Sequence, residues 1–267
     1  SETGQSRYCH RVLVVDVPVD VGPKDLRQLP TFFNQKSEPP SLEQWDIEII
    51  AEINHAPRLT AVEILEIADH YRRSGATWID VGCEPGGDWV GVGECVKALV
   101  GAGHRVSIDS LNPQEIGRAV NAGAELVLSV NGSNRDAAPD WGCEVVVIPD
   151  DIRNIQSMED TIELLAEKHV PLRIDPILEP VGLGFAASLR RYYLARDRWP
   201  DAEMMMGIGN LTELSDVDSA GVNFLLLAIC QELGIGSVLT TEVVNYARSS
   251  VRECDLARRH NPRYRFA

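Results

Sequence analysis

The chain has 267 residues, with 40 acidic side chains against 25 basic ones and a net charge of −15. That length suits one large domain or two small ones, and 44% hydrophobic with 24% charged residues is a globular composition that excludes a disordered chain. No apolar run reaches the roughly 20 residues of a membrane span, and the acidity argues against a nucleic-acid partner, whose phosphates it would repel.

In chain order, HRVLVVDVPVDV reads as a strand, but KDLRQLPTFFNQKSEPPS is rich in turn formers and holds Pro39–Pro40. Residues 1–46 are therefore expected to form an N-terminal extension over the floor of the main domain, or the tail of a preceding one. The chain starts without Met, as a processed or excised piece would, and no secretory signal is visible.

From Ile47 one pattern repeats: a short β-branched run, a polar or Gly-rich loop, then an amphipathic helix. The predicted strands are residues 47–53, 78–81, 105–108, 126–130, 144–148, 172–174, 203–206 and 237–239. Between them AVEILEIADHYRR, GECVKALVGAG, PQEIGRAVNAG, MEDTIELLAEK, ASLRRYYLARDRW and GVNFLLLAICQELG repeat their apolar residues every three or four positions. Pro113 marks one helix start, and Gly123 and Gly234 mark helix ends. Strands that alternate with helices pair in parallel, and eight such units favour closure. The expected fold is α/β, a (β/α)8 TIM barrel over residues 47–267 with an N-terminal extension. The apolar FLLLAIC helix fits the core better than an interface between barrels. The last 20 residues carry six Arg against Glu253 and Asp255, which reads as a solvated helix end.

The six cysteines, at 9, 83, 95, 143, 230 and 254, form no C-x-x-C pair. Zinc ribbon and thioredoxin motifs are excluded, and reduced thiols in the cytoplasm are expected. Polar residues at the strand ends fall at Asn54, Asp80, Asp109, Asn131, Asp150, Asp175, Asn210 and Glu242, with Glu84 close behind the second strand. Active sites of barrels lie at this end. A ring of carboxylates and amides without a Cys/His cluster does not suit zinc. It suits a flat heterocycle with adjacent N–H donors, since a carboxylate accepts two parallel hydrogen bonds and an amide both donates and accepts. Each Asp has a second reading as the N-cap of the following helix, Asp109 before SLNPQEI above all. The glycine-rich GGDWVGVG reads as a flexible second βα loop.

The strand ends WIDVGCEPGG, VSIDS, LVLSVNGSN, LRIDPILEPVG and MMMGIGNLTEL resemble, in order and spacing, the pterin-binding barrels, from about Ile47 to Arg259. That family contains dihydropteroate synthase and the methyltetrahydrofolate–corrinoid methyltransferases. The resemblance implies a pterin in the barrel mouth, held by Asp109, Asn131 and Asp175, with Asp175 on the N3–H and 2-amino edge. It places Asn54 near a diphosphate and any Mg²⁺ that accompanies it. The Asn-x-Thr-Pro-Asp-Ser continuation of the synthases is replaced here by INHAPRLT.

The seventh-loop Lys and the eighth-strand Arg-x-His-Asp of the synthases are also absent, and the chain reads GIGNLTEL and TTEVVNYARSS instead. Arg248 and Ser249 could take the diphosphate, with helix N–H groups beside them, or Arg248 is an ordinary exposed helix residue. GIGN, with Asn210, and DPILEPV look closer to the methyltransferases, whose Asn lies near the pterin N5. The ending TTEVVNYARSS resembles a third group, dihydropteroate synthase-like proteins linked to tetrahydromethanopterin metabolism, often preceded by another domain.

The leading implication is a transferase joining a pterin methyl diphosphate to an arylamine, with Asp109, Asp175 and Asn210 as catalytic residues. Methyl transfer from a methyltetrahydropterin is the alternative, and a non-catalytic pterin-binding module a third. No tightly held organic cofactor and no nucleic-acid or membrane partner is expected. A homodimer and a neighbouring domain in the full-length chain remain as expectations.

Overall fold

The computed structural model describes residues 47–216 and 219–260. The expectations for residues 1–46 and for the last residues of the basic stretch lie outside them. Eight parallel strands, β1 (Glu48–Ile53), β2 (Trp78–Gly82), β3 (Val106–Asp109), β4 (Leu126–Val130), β5 (Glu144–Val147), β6 (Leu172–Ile174), β7 (Glu203–Gly207) and β8 (Ser237–Thr240), close into a barrel in sequence order. β8 pairs with β1 in parallel, Ala51 opposite Thr240. The TIM barrel expected from the strand–helix alternation is therefore present.

The helices are α1 (Ala61–Ser74), α2 (Val92–Gly101), α3 (Pro113–Asn121), α4 (Glu159–Glu167), α5 (Phe185–Arg198), α6 (Gly209–Thr212), α7 (Ser219–Leu233) and α8 (Ser250–His260). Thr60 and Glu63 form a reciprocal capping box on α1. Asn112 caps α3, its Oδ1 accepting from Gln114 N, with Pro113 at the first position. The unit after β4 departs from the predicted pattern, with a 3₁₀ turn at Arg135–Asp140 in place of an α-helix. In the apolar α7, Leu226, Leu227 and Cys230 are buried while Phe224 and Leu225 are exposed.

Strand alternation divides the core in two. Ile49, Ala51, Ile53, Ile79, Val81, Val106, Ile108 and their equivalents pack outward against the helices. Ile50, Trp78, Leu126, Leu128, Val146 and Met205 form a separate cluster that fills the middle of the lumen. Below that plug, at the N-terminal end of the strands, Arg173 is bidentate on Glu144 (2.6 and 2.9 Å) and reaches Ser237 Oγ (2.9 Å) and Glu48 (3.3 Å). Above it stand the polar residues of the mouth.

The expectation of a solvated basic helix end needs correction. Arg258 on α8 is 3% exposed. It pairs with buried Asp255 at 2.8 Å and donates to the carbonyls of Ile47 and Gly75, each at 2.8 Å, while Arg252 and Arg259 share the same carboxylate. Sequence-local charge pairing thus serves to tie α8 to the barrel floor. Cys83, Cys95, Cys143, Cys230 and Cys254 are free thiols. Among the described residues, no helix is long and apolar enough to cross a membrane.

Candidate functional site

Asp175 follows β6 directly and is 2% exposed. Its Oδ1 accepts from Ile177 N (2.8 Å) and from the hydroxyl of Tyr192, a fully buried residue of α5. Burial pushes its carboxyl up to about 6, although Tyr192, the Ile177 and Gly207 amides and Arg191 all pull the other way. The loop behind it is held in an unusual shape. Ile177 sits at φ 66°, which a β-branched residue rarely adopts. Arg191 fixes this turn, donating to Pro176 O (3.3 Å) and Ile177 O (2.9 Å) and pairing with Glu179 (2.7 Å).

Asn210 is not at the strand end but on α6, three residues beyond β7. Its Nδ2 donates to Leu178 O at 3.2 Å. A Cβ on Gly207 would stand 3.4 Å from Asn210 Nδ2 and 3.5 Å from Asp175 Oδ2, so the two side chains flank one glycine. With Oδ1 already engaged twice, Oδ2 is the oxygen of Asp175 with capacity left for a ligand.

On the opposite strands, polar side chains are stapled to their neighbours. Ser107 Oγ donates to Asp80 Oδ1 at 2.5 Å, and Ser129 hydrogen-bonds Asp109. Thr241 donates to Asn54 Oδ1, linking the ends of β8 and β1. Ser129 stands at φ 65°, where the β4–β5 register shifts. The helix-cap reading of Asp109 is set aside, because Asn112 caps α3 and Asp109 is the last residue of β3. Burial raises its carboxyl. The placement of Asp80 after its strand also needs correction: it is the third residue of β2, 0% exposed, and its carboxyl lies well above the ordinary range through burial and then Asp109.

Asn131 follows β4, its Oδ1 accepting from Ser133 N (2.9 Å) and Ser133 Oγ (2.7 Å), which leaves its Nδ2 donors for other partners. Glu84 lines the mouth, gripped by Arg58 (2.5 and 3.0 Å) and His55 (3.1 Å) from the first loop. A cavity of about 540 Å³ opens between Cys83, Glu84, Gly87, Asp109, Asn112 and Ser129. Glu115, 1% exposed, ties its wall together by accepting from Trp89 N (2.6 Å) and Ser110 Oγ (2.5 Å).

The expected diphosphate residues are not gathered into one contact group. Arg248 is exposed, and the Ser249 hydroxyl donates to Glu253 at 2.7 Å. At the start of α8, Glu242 Oε1 already accepts from Val251 N (3.1 Å) while Oε2 meets His70 (2.8 Å). A resident carboxylate therefore occupies the helix end where an anion was expected. Asp150 is used by the loop, accepting from Gly132 N at 2.8 Å.

Sequence reasoning did not find Glu52, Arg191, Tyr192 or Glu115. Glu52 carried a signal: a charged residue in phase with Ile50 along β1 points inward, where apolar residues are the rule. Burial, then Asp80, Asp109 and Glu213, push its carboxyl up to about 9.

Comparison with known proteins gives a consistent picture. No family model matches the chain. An uncharacterized protein of Methanocaldococcus jannaschii is 32% identical over 239 residues, 80% of this chain, and the chain spans only 45% of that relative. A Yersinia pestis dihydropteroate synthase solved with a pterin–sulfa conjugate superimposes with a TM-score of 0.63 at 18% identity, covering 82% of this chain and 92% of that one. Xanthomonas albilineans dihydropteroate synthase in complex with 7,8-dihydropteroate matches with the same TM-score, identity and coverage. The resemblance read from the strand ends extends through the architecture, and the chain shares its (β/α)8 barrel fold with the dihydropteroate synthases.

Proposed function

We propose that this barrel binds a reduced pterin in its mouth and acts as a dihydropteroate synthase-like transferase, joining a pterin methyl diphosphate to an arylamine. The observation that carries the reading is the pairing of buried Asp175 with Asn210 across Gly207, with Asp109 at the end of β3. Asp175 Oδ2 accepts an N–H from the pyrimidine edge, and the amides of Asn210 and Asn131 match further polar edges of the ring. Burying such a ligand demands that every edge be paired, which supplies selectivity. As diphosphate leaves the exocyclic methylene, the ring carries positive charge, and Asp109 and Asp175 stabilise it. The loops orient the amine for attack. Arg248, Ser249 and Asn54 are the side chains assigned to the leaving diphosphate.

Mg²⁺ was expected beside Asn54. That residue offers a single carbonyl oxygen, which already accepts from Thr241. One shared amide oxygen is too few donors to hold a divalent cation by itself.

A second reading, transfer of a methyl group from a methyltetrahydropterin, is favoured by Glu242 at the start of α8, where it competes with a diphosphate, and by Asn210 beside Asp175. Calorimetric titration with 6-hydroxymethyl-dihydropterin diphosphate and Mg²⁺, against a methyltetrahydropterin, separates the two. Preference for the diphosphate supports the synthase reading, and preference for the methylated pterin replaces it. Tight binding with no product under any amine or methyl acceptor leaves a pterin-binding module. Binding of neither ends all three.

A further inference from the structure

The upper tier of the lumen holds a constellation that pterin recognition does not use in full. Glu52, Asp80 and Asp109 come from three successive strands, with Glu52 opposite Asp80 and Gly82 opposite Asp109 in the registers. One carboxylate oxygen from each lies within 4.8 Å of the other two. The charges that act on Glu52 are Asp80, Asp109 and Glu213, all of one sign.

Proximity of acidic groups is not by itself a site, but Asp80 adds a second observation. It is fully buried between the other two, Ser107 occupies its Oδ1, and its Oδ2 has no hydrogen-bond partner. A carboxylate oxygen so far from water normally accepts something. Room is kept beside it as well: a Cβ on Gly82 would come within 2.5 Å of Glu52 Oε1, so a glycine here leaves space for that carboxylate.

We propose that Glu52, Asp80 and Asp109 bind a divalent, oxygen-preferring cation of the Mg²⁺ or Mn²⁺ kind inside the barrel, through a donor set that does not include Asn54. The donor set is three carboxylates without nitrogen or sulfur, which selects hard cations. Ser107 and Ser129 orient two of the ligands from the next strand, as outer-shell partners of metal sites do. The cavity lined by Asp109, Cys83 and Ser129 provides the way in. Asp109 then belongs to both ion and pterin sites, but the ion's place does not rest on the pterin reading. The competing arrangement shares protons among the three carboxyl groups and takes up no ion.

The test is Mn²⁺ titration of the chelator-stripped full chain, with free Mn²⁺ followed by electron paramagnetic resonance and heat by calorimetry. One ion per chain is expected to bind below about millimolar concentration. Glu52→Gln and Asp80→Asn should each weaken it by at least about tenfold, while Asn54→Ala and Asp175→Ala leave it unchanged. Mn²⁺ should also raise the Tm of the parent chain and not that of Glu52→Gln. Should Asp80→Asn not fold, the near-isosteric Glu52→Gln decides alone. No uptake by the parent chain, uptake unchanged in Glu52→Gln, or loss in Asn54→Ala with Glu52→Gln intact each overturns the proposal. Loss of pterin binding in Asp175→Ala with Mn²⁺ uptake retained keeps the two assignments separable.

Discussion

Replacing Tyr192 by Phe isolates one hydrogen bond. Phe fills the same buried space, so the change is the loss of the hydroxyl that donates to Asp175 Oδ1, leaving the Ile177 amide at 2.8 Å on that oxygen. A hydrogen bond to a charged group contributes about 1.5–3 kcal/mol. In a chain of this size each kcal/mol moves Tm by about 2–4 °C, so a deficit of about 3–12 °C is expected at pH 8. The sign with pH follows from linkage. The folded carboxyl titrates near 6 rather than at 3.8, so the folded state holds the extra proton. That contribution is complete below the unfolded value and is lost as pH rises toward 6, by about 3 kcal/mol in the parent chain. Without the hydroxyl the folded value climbs further, and the ionised form loses more than the neutral one. Calorimetric unfolding of both chains at pH 4.5 and pH 8 should show a small Tm difference at the lower pH and the full deficit at the higher. Equal deficits at the two values, or none at pH 8, would refute the placement of that hydroxyl on an ionising Asp175.

Three further outcomes are expected. Asp175→Ala should abolish pterin binding, and unchanged affinity by calorimetry would remove Asp175 from the site. Asn210→Ala should reduce turnover more than pterin affinity under the methyl-transfer reading, and single-turnover rates equal to the parent would count against that role. Arg258→Ala removes the buried partner of Asp255, leaving Arg252 and Arg259 on its carboxylate, and frees two carbonyls at the barrel floor, at a cost of about 1–3 kcal/mol for each carbonyl left unpaired. Denaturant titration with a midpoint like the parent's would show that Arg258 is not the tie between α8 and β1.

The barrel was legible because its strands are β-branched and its helices strongly periodic, and both patterns are local. So was the ring of Asp and Asn, since a βα loop begins where the apolar run stops. What decided between readings was long-range. Asp109 as cap or ligand turned on Asn112, three residues away but settled only by which side chain reaches Gln114 N. Arg258 looked like one more charge on a solvated helix, and its burial depends on carbonyls at Ile47 and Gly75, far away in sequence. Tyr192 reaches Asp175 across a whole loop, and the positive φ of Ser129 and Ile177 has no residue-type signal at all. Glu52 breaks the apolar rule of a strand interior within its own sequence, but its neighbours Asp80 and Asp109 are fixed only by the register of β1, β2 and β3.

The apolar plug of Ile50, Trp78, Leu126, Leu128, Val146 and Met205 works as an insulator between two polar storeys. Beneath it, Arg173 is neutralised by Glu48 and Glu144 and depends on nothing at the mouth. Above it, Glu52, Asp80 and Asp109 face one another with no ion-pair partner among the described residues, so their balance is set from the open end by whatever enters there. The two ends can therefore change independently, and a lineage could exchange the mouth's chemistry while the floor goes on holding the barrel shut.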